Sequence, residues 1–198
     1  MRSEDDLLER WLAATLETPG ITAIRDPHRA RGFLLEDALR AEHYVAKEHG
    51  PVVDVGSGTG SPGLPLAVAI SGKRFVLLDA ERRKCDFLRP FVGELDNAEV
   101  VWGRAEEQPP DEYGVALAKA LARPPVAVEL TLPLVREGGA VLLWCGESAD
   151  RQKIGHVSAL LAGELENDDR GLLVLRKIGP TPAGFPRRPG MARKRPLG

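Results

Sequence analysis

Apolar residues in the first twenty positions recur at helical spacing, with Leu7, Leu8, Trp11, Leu12 and Leu16 on one stripe. That pattern predicts an amphipathic helix from an N-cap at Ser3 to about Thr18, stopped by Pro19-Gly20. A second helix is expected over 27–48, broken near Gly32, and it delivers the chain to a strand at Val52-Val53. Beyond that point the period changes. Short apolar runs at Phe75–Leu78, Ala98–Trp102, Val115–Lys119, Ala140–Cys145 and Leu172–Ile178 read as buried strands, the last with Leu172, Val174, Arg176 and Ile178 on one face. Helix-length segments separate them. These are Ser61–Ile70 with Pro62 in its first turn, Ala80–Leu95 with Cys85, Leu88, Phe91, Val92 and Leu95 inward, Val126–Val135 closed by Gly138-Gly139, and a weaker one at Val157–Leu165. Strands alternating with helices imply an α/β domain whose mostly parallel sheet carries helices on both faces. The expected organisation is a helical N-terminal extension over 1–49 packed on a core of 50–180, followed by a tail of 181–198.

The run Val-Val-Asp-Val-Gly-Ser-Gly-Thr-Gly-Ser-Pro-Gly over 52–63 is where the pattern acquires chemistry. An apolar strand ends in an acid and then in glycines at every second position, Gly56, Gly58 and Gly60. Such residues take positive φ and carry no Cβ, so a ligand can lie against main chain. The spacing is not the dinucleotide fingerprint, and no Gly-Lys-Ser/Thr follows to make a phosphate loop. A second strand ends in Asp79, placed to accept hydrogen bonds from two ribose hydroxyls or to cap the following helix. Ligands of wound sheets bind beyond the carboxyl ends of the strands, where Asp54–Gly60, Asp79, Gly103–Glu107 and Lys119 all fall.

Composition narrows the setting. The 198 residues suit one domain with a short appendage, and a hydrophobic content of 43% is enough for an ordinary core. A net charge of −2 argues against general coating of nucleic acid, but Arg187, Arg188, Arg193, Lys194 and Arg195 concentrate five cations in the tail without an acid. Two cysteines, Cys85 and Cys145, point to a reducing compartment and are expected as buried thiols. No apolar segment approaches the roughly 18 residues of a membrane span. A cytoplasmic protein is expected, acting as a monomer and without a metal.

The glycine loop resembles the first motif of S-adenosylmethionine-dependent methyltransferases. Asp54 to Leu66 with Leu77-Leu-Asp79, Lys84, Phe87-Leu88 and Gly103-Arg-Ala-Glu-Glu107 is similar to the ribosomal RNA small subunit methyltransferase G family, first called glucose-inhibited division protein B. Ile21-Thr-Ala-Ile-Arg-Asp-Pro27 resembles that family's Leu-Thr-x-x-Arg-Asp-Pro element, and Phe185-Pro-Arg-Arg-Pro-Gly190 with Lys194-Arg-Pro-Leu197 resembles its basic tail. The resemblance implies a Rossmann-like class I methyltransferase fold. It also implies S-adenosyl-L-methionine as cofactor, and transfer of the methyl group to N7 of one guanine, number 527, of 16S rRNA in the small ribosomal subunit. On the cofactor side it implies Asp54, Gly56, Ser57, Gly58, Gly60, Pro62, Gly63, Asp79, Ala80, Arg104, Ala105, Glu106 and Lys119. Asp54 would order the loop or receive the amino group, Asp79 would hold the ribose, and the Arg-Ala-Glu-Glu segment would lie beside the adenine. Lys119 stands where the family has an arginine facing the target base, and is otherwise a solvated lysine at a strand end. Arg123 would contact RNA phosphate or be a surface charge. The five tail cations would neutralise RNA phosphates, or the tail would be a disordered solubilising segment.

Guanine N7 carries a lone pair and no proton, so attack on a sulfonium methyl needs alignment and desolvation rather than a base. A cytosine C5 enzyme would place a nucleophilic cysteine beside the cofactor, whereas Cys85 falls mid-helix. An exocyclic-amine enzyme would show an acid or carboxamide before Pro-Pro and an aromatic after it, where this chain has Arg123-Pro-Pro-Val126. The chain departs from the family at Phe33-Leu34, where Arg-His is usual, at Lys119, at Cys145-Gly146, where Lys-Gly is usual, at Gly20, and in the offset of Trp11. These positions bear on the RNA side more than the cofactor side. The alternatives are a methyltransferase with another RNA or small-molecule target, and a cofactor- or RNA-binding protein without catalysis. An NAD-dependent oxidoreductase has the wrong glycine spacing and no candidate proton donor.

Overall fold

The computed structural model describes residues 4–198, so the Ser3 cap lies outside the described residues. Helix α1 (Glu4–Glu17) is followed by α2 (Pro27–Ala30), a π turn (Arg31–Glu36), α3 (Asp37–Leu39) and α4 (Glu42–Lys47). Next come β1 (Val52–Val55), α5 (Gly63–Ala69), β2 (Phe75–Asp79), α6 (Arg82–Val92), β3 (Ala98–Trp102), a 3-10 turn (Ala105–Glu107) and β4 (Tyr113–Lys119). The chain closes with α7 (Pro124–Thr131), β5 (Val135–Trp144), α8 (Arg151–Leu160), β6 (Gly163–Asp169), β7 (Leu172–Lys177) and α9 (Met191–Lys194).

The strands form one sheet in the order β3-β2-β1-β4-β5-β7-β6. The first five run parallel, while β7 is antiparallel to both β5 and β6. The order reverses between β1 and β4. That switch point opens a crevice beyond their carboxyl ends, and Asp54, Asp79 and Lys119 all lie in the carboxyl-terminal parts of their strands next to it. Two-residue periodicity splits the core. Val53, Val55, Val76, Leu78, Ala116 and Leu143 face α7 and α8, while Val52, Phe75, Leu77, Val115, Leu117 and Leu142 face α1, α5 and α6. The N-terminal helices close the second face through Trp11, fully buried.

The expected 27–48 helix is instead four short pieces. Asp26 caps its start by accepting from the Arg29 amide at 2.7 Å. Gly32 then lies in the wide π turn, whose extra residue rephases the helix so that Leu34 and Leu35 are buried while Phe33 turns outward. The weak helix of 157–165 lies earlier, at Arg151–Leu160, where the Asp150 side chain caps it by accepting from Lys153 N at 3.0 Å. Residues 163–169 form the edge strand β6, which the sequence pattern does not reveal. Glu164, Glu166, Asp168 and Asp169 give it the charged composition of a protected sheet edge. The expected helix after the glycine loop begins at Gly63, with Pro62 at its N-cap. Helix α7 starts at Pro124, two residues before the expected Val126, and ends at Thr131, because Pro133 turns the chain through a 3-10 segment. Helix α6 is shorter at both ends than the expected 80–95. Cys85 is buried as expected, but Cys145 lies just past β5 and is partly exposed. The tail is ordered against the core rather than a disordered segment: Ala192 is buried, and Phe185 and Leu197 pack on the α7 side of the sheet.

Candidate functional site

The site grows from the end of β1. Asp54 is 1% exposed. Its Oδ2 accepts from the Gly63 amide at 3.0 Å, and its Oδ1 has no partner. Burial pushes its carboxyl up to about 7, opposed by the bond from the Gly63 amide. A Cβ on residue 63 would stand 2.6 Å from Asp54 Oδ2, so the approach requires glycine. Asp54 thus braces the return of the glycine loop into α5.

The loop is stitched to β2 by main chain. Gly56 N and Ser57 N both donate to the Leu78 carbonyl, at 2.8 and 3.1 Å, and Ser57 Oγ donates to the Asp54 carbonyl at 2.9 Å. The Gly58 amide donates to Asp79 Oδ2 at 2.8 Å, and Asp79 Oδ1 accepts from Glu81 N at 2.8 Å. Asp79 therefore ties the loop to the approach of α6 and retains lone pairs for further donors. Gly56 and Gly58 have φ of +71° and +58°. A Cβ on Gly56 would meet Leu121 Cδ1 at 2.5 Å and one on Gly60 would meet Leu88 Cδ2 at 2.8 Å, whereas the nearest atom to one on Gly58 is 3.7 Å away. Gly56 and Gly60 are held from the protein side. Gly58 presents bare main chain to a cleft.

That cleft, of about 310 Å³, is lined by Gly56, Ser57 and Gly58 below and by Phe33, Lys119 and Ala120 at its side. A smaller cavity on the other side of Gly56 is walled by Ala80, Arg104, Ala105, Glu106, Leu121 and Arg193. Of the residues expected on the cofactor side, Gly56, Ser57, Gly58, Ala80, Arg104, Ala105, Glu106 and Lys119 line these two spaces. Asp54, Gly60, Pro62, Gly63 and Asp79 stand behind them as supports. Arg123 is exposed at the N-cap of α7 and lines neither space.

Lys119 is not a solvated strand-end lysine. It is 6% exposed, and its Nζ lies 3.0 Å from Asp37 Oδ2, donates to the Phe33 carbonyl and sits 3.9 Å from the centre of the Phe33 ring. Burial lowers the pKa of this ammonium, while Asp37 acts to raise it. The departure at Phe33 and the departure at Lys119 are therefore in contact with each other. Lys119 draws the π turn over the end of β4.

Three further residues escape sequence reasoning. Trp11 reads as a core residue of α1, yet its Nε1 donates to the Thr59 carbonyl at 2.6 Å and so clamps the glycine loop from the N-terminal helix. Leu121 fills the space that the absent Cβ of Gly56 leaves. Ser61 lines the cleft with a buried hydroxyl that has no partner. The offset tryptophan of the sequence is the one usable signal among them. The tail also sorts differently from expectation. Arg187 spends its guanidinium on the buried Glu129, at 2.5 and 2.7 Å, and on the Arg195 carbonyl at 2.7 Å. Arg188, Arg193, Lys194 and Arg195 are exposed.

The residues fit a nucleoside linked through a sulfonium to an amino acid. Bare main chain at Gly58 and the unpartnered Ser61 Oγ line the cleft, the buried Asp54 Oδ1 behind the loop has no partner, and a second walled cavity borders Gly56. A glycine loop at the switch point of this sheet defines the class I S-adenosylmethionine-dependent methyltransferase fold. A family model described as rRNA small subunit methyltransferase G matches residues 8–164. The chain belongs to that family. It is 38% identical over 181 residues to the ribosomal RNA small subunit methyltransferase G of Pelotomaculum thermopropionicum, covering 81% of this chain and 76% of that one. Against the protein of the same name from a Synechococcus strain the identity is 33%, covering 74% of this chain and 64% of the relative. Among solved structures, a T. thermophilus 16S rRNA N2-guanine methyltransferase in complex with AdoMet and guanosine matches with a TM-score of 0.57 at 20% identity, over 83% of this chain and 42% of that one. Among the described residues, no helix is long and apolar enough to cross a membrane.

Proposed function

We propose that the protein is a cytoplasmic, S-adenosylmethionine-dependent methyltransferase of 16S rRNA, acting on N7 of guanine 527 as the family resemblance implies. The single observation that carries this reading is the bare main chain of Gly58, held by Asp79 at the mouth of a cleft in a chain of this family. The cofactor, when bound, supplies an electrophilic methyl group on sulfur. Gly56, Ser57 and Gly58 would bind its amino-acid part through main chain, Asp79 would accept from the ribose, and Ala105 and Glu106 would border the adenine. Guanine N7 needs no proton removed, so the chain's task is to align the lone pair and exclude water. Phe33 and Lys119 flank the open side of the cleft, where a planar base would enter. The exposed Arg188, Lys194 and Arg195 would meet RNA phosphates, giving affinity that falls with salt.

The test is incubation of the protein with methyl-labelled cofactor and 16S rRNA from a strain lacking this modification, followed by strand cleavage at N7-methylguanine. Label at that single guanine is expected. Label elsewhere in the RNA, or none, overturns the assignment.

A further inference from the structure

The five tail cations look equivalent in sequence, but the fold gives one of them a different position. Arg193 is the only tail cation among the residues walling the cavity beside Gly56, which it shares with Ala80, Ala105 and Glu106. Its guanidinium reaches the Leu121 carbonyl at 3.4 Å, and Leu121 is the residue packed into the space above Gly56. The Gly190 amide donates to the Oε1 of Glu106, another lining residue, at 2.8 Å. The segment 190–193 therefore ties two lining residues of the cavity, Glu106 and Leu121, to the tail, and Arg187, locked onto Glu129, fixes where that segment starts. The ring nitrogens N1, N3 and N7 of an adenine only accept hydrogen bonds, and a guanidinium offers only donors on a plane that also stacks on aromatic rings.

We propose that Arg193 is a cofactor-side residue that, with the Gly190–Glu106 bond, closes the nucleoside end of the site, rather than one of the cations that meet RNA phosphate. This rests on the reading of the site as a nucleoside-cofactor cleft. One consequence is that the tail carries two functions in adjacent residues, with Arg193 turned to the cofactor and Lys194 to the RNA.

Calorimetric titration with S-adenosylhomocysteine separates the possibilities without reference to activity. Arg193→Ala is expected to weaken binding about ten-fold, the scale of one lost charge-assisted hydrogen bond, while leaving the salt slope of RNA binding unchanged. Glu106→Ala keeps the main chain beside the nucleoside but cuts the tie to Gly190, and a fall in affinity is expected there too. Lys194→Ala is expected to lower the salt slope and leave S-adenosylhomocysteine affinity intact. Thermal unfolding of each ligand-free variant separates loss of fold from loss of site. Unchanged S-adenosylhomocysteine affinity in both Arg193→Ala and Glu106→Ala overturns the proposal, as does a fall in the salt slope for Arg193→Ala with cofactor affinity retained. A wild-type protein that binds no S-adenosylhomocysteine would instead sink the underlying reading of the cleft.

Discussion

Exchanging Asp54 for asparagine isolates the cost of burying its charge. In the fold the carboxyl is pushed up to about 7, against an ordinary value of 3.8. The native state therefore holds this proton more tightly than the unfolded chain does. Stability from that proton is fully present below about pH 4 and is lost as pH rises toward 7, the direction set by linkage. Each tenfold step in proton affinity is worth about 1.4 kcal/mol, so between pH 5 and pH 8 the wild type should lose about 3 kcal/mol that the Asp54→Asn protein does not. Asparagine preserves the acceptor for the Gly63 amide and titrates no proton, so groups not coupled to Asp54 cancel in the comparison. Urea unfolding of both proteins at a series of pH values gives the difference directly. Parallel profiles for the two proteins would refute a carboxyl held at a raised pKa by burial at this position.

Arg187→Ala would leave the carboxylate of Glu129, 3% exposed, without its guanidinium partner. A loss of about 3–5 kcal/mol is expected, seen as a fall in melting temperature of roughly 6–20 °C for a chain of this length, and replacing both residues by methionine should recover most of it. Trp11→Phe removes the donor to the Thr59 carbonyl and keeps most of the packing. A loss of about 1–3 kcal/mol is expected, together with faster amide hydrogen exchange at Gly58 and Gly60, and unchanged exchange there would detach α1 from the loop.

Local pattern made the five parallel strands legible, because each contains a short apolar run that stops at a polar residue or a glycine, and it made the loop legible through the spacing of Gly56, Gly58 and Gly60. Strand β6 was not legible. An edge strand with Leu165 as its one large apolar residue among Glu, Asn and Asp gives no alternation to read, and it pairs because β7 offers a partner. The π turn escaped for a related reason: Gly32 marks an irregularity, but the pull of Lys119 on Phe33 and Asp37 comes from a strand more than eighty residues away. In the site, main-chain positions were readable because glycine spacing reports backbone directly. Side-chain roles that depend on a distant neighbour were not, as with Trp11 over Thr59, Leu121 over Gly56 and Arg193 at the cavity beside it.

The hydrogen bond from the first helix to the glycine loop bears on how this protein could be shortened. A fragment starting at residue 50 would keep every strand and every amide of the loop in its sequence. It would also leave Leu64, Leu66 and Phe75 facing water where Trp11 and its neighbours now cover them. Such a fragment would have the parts of a minimal enzyme and stick to itself.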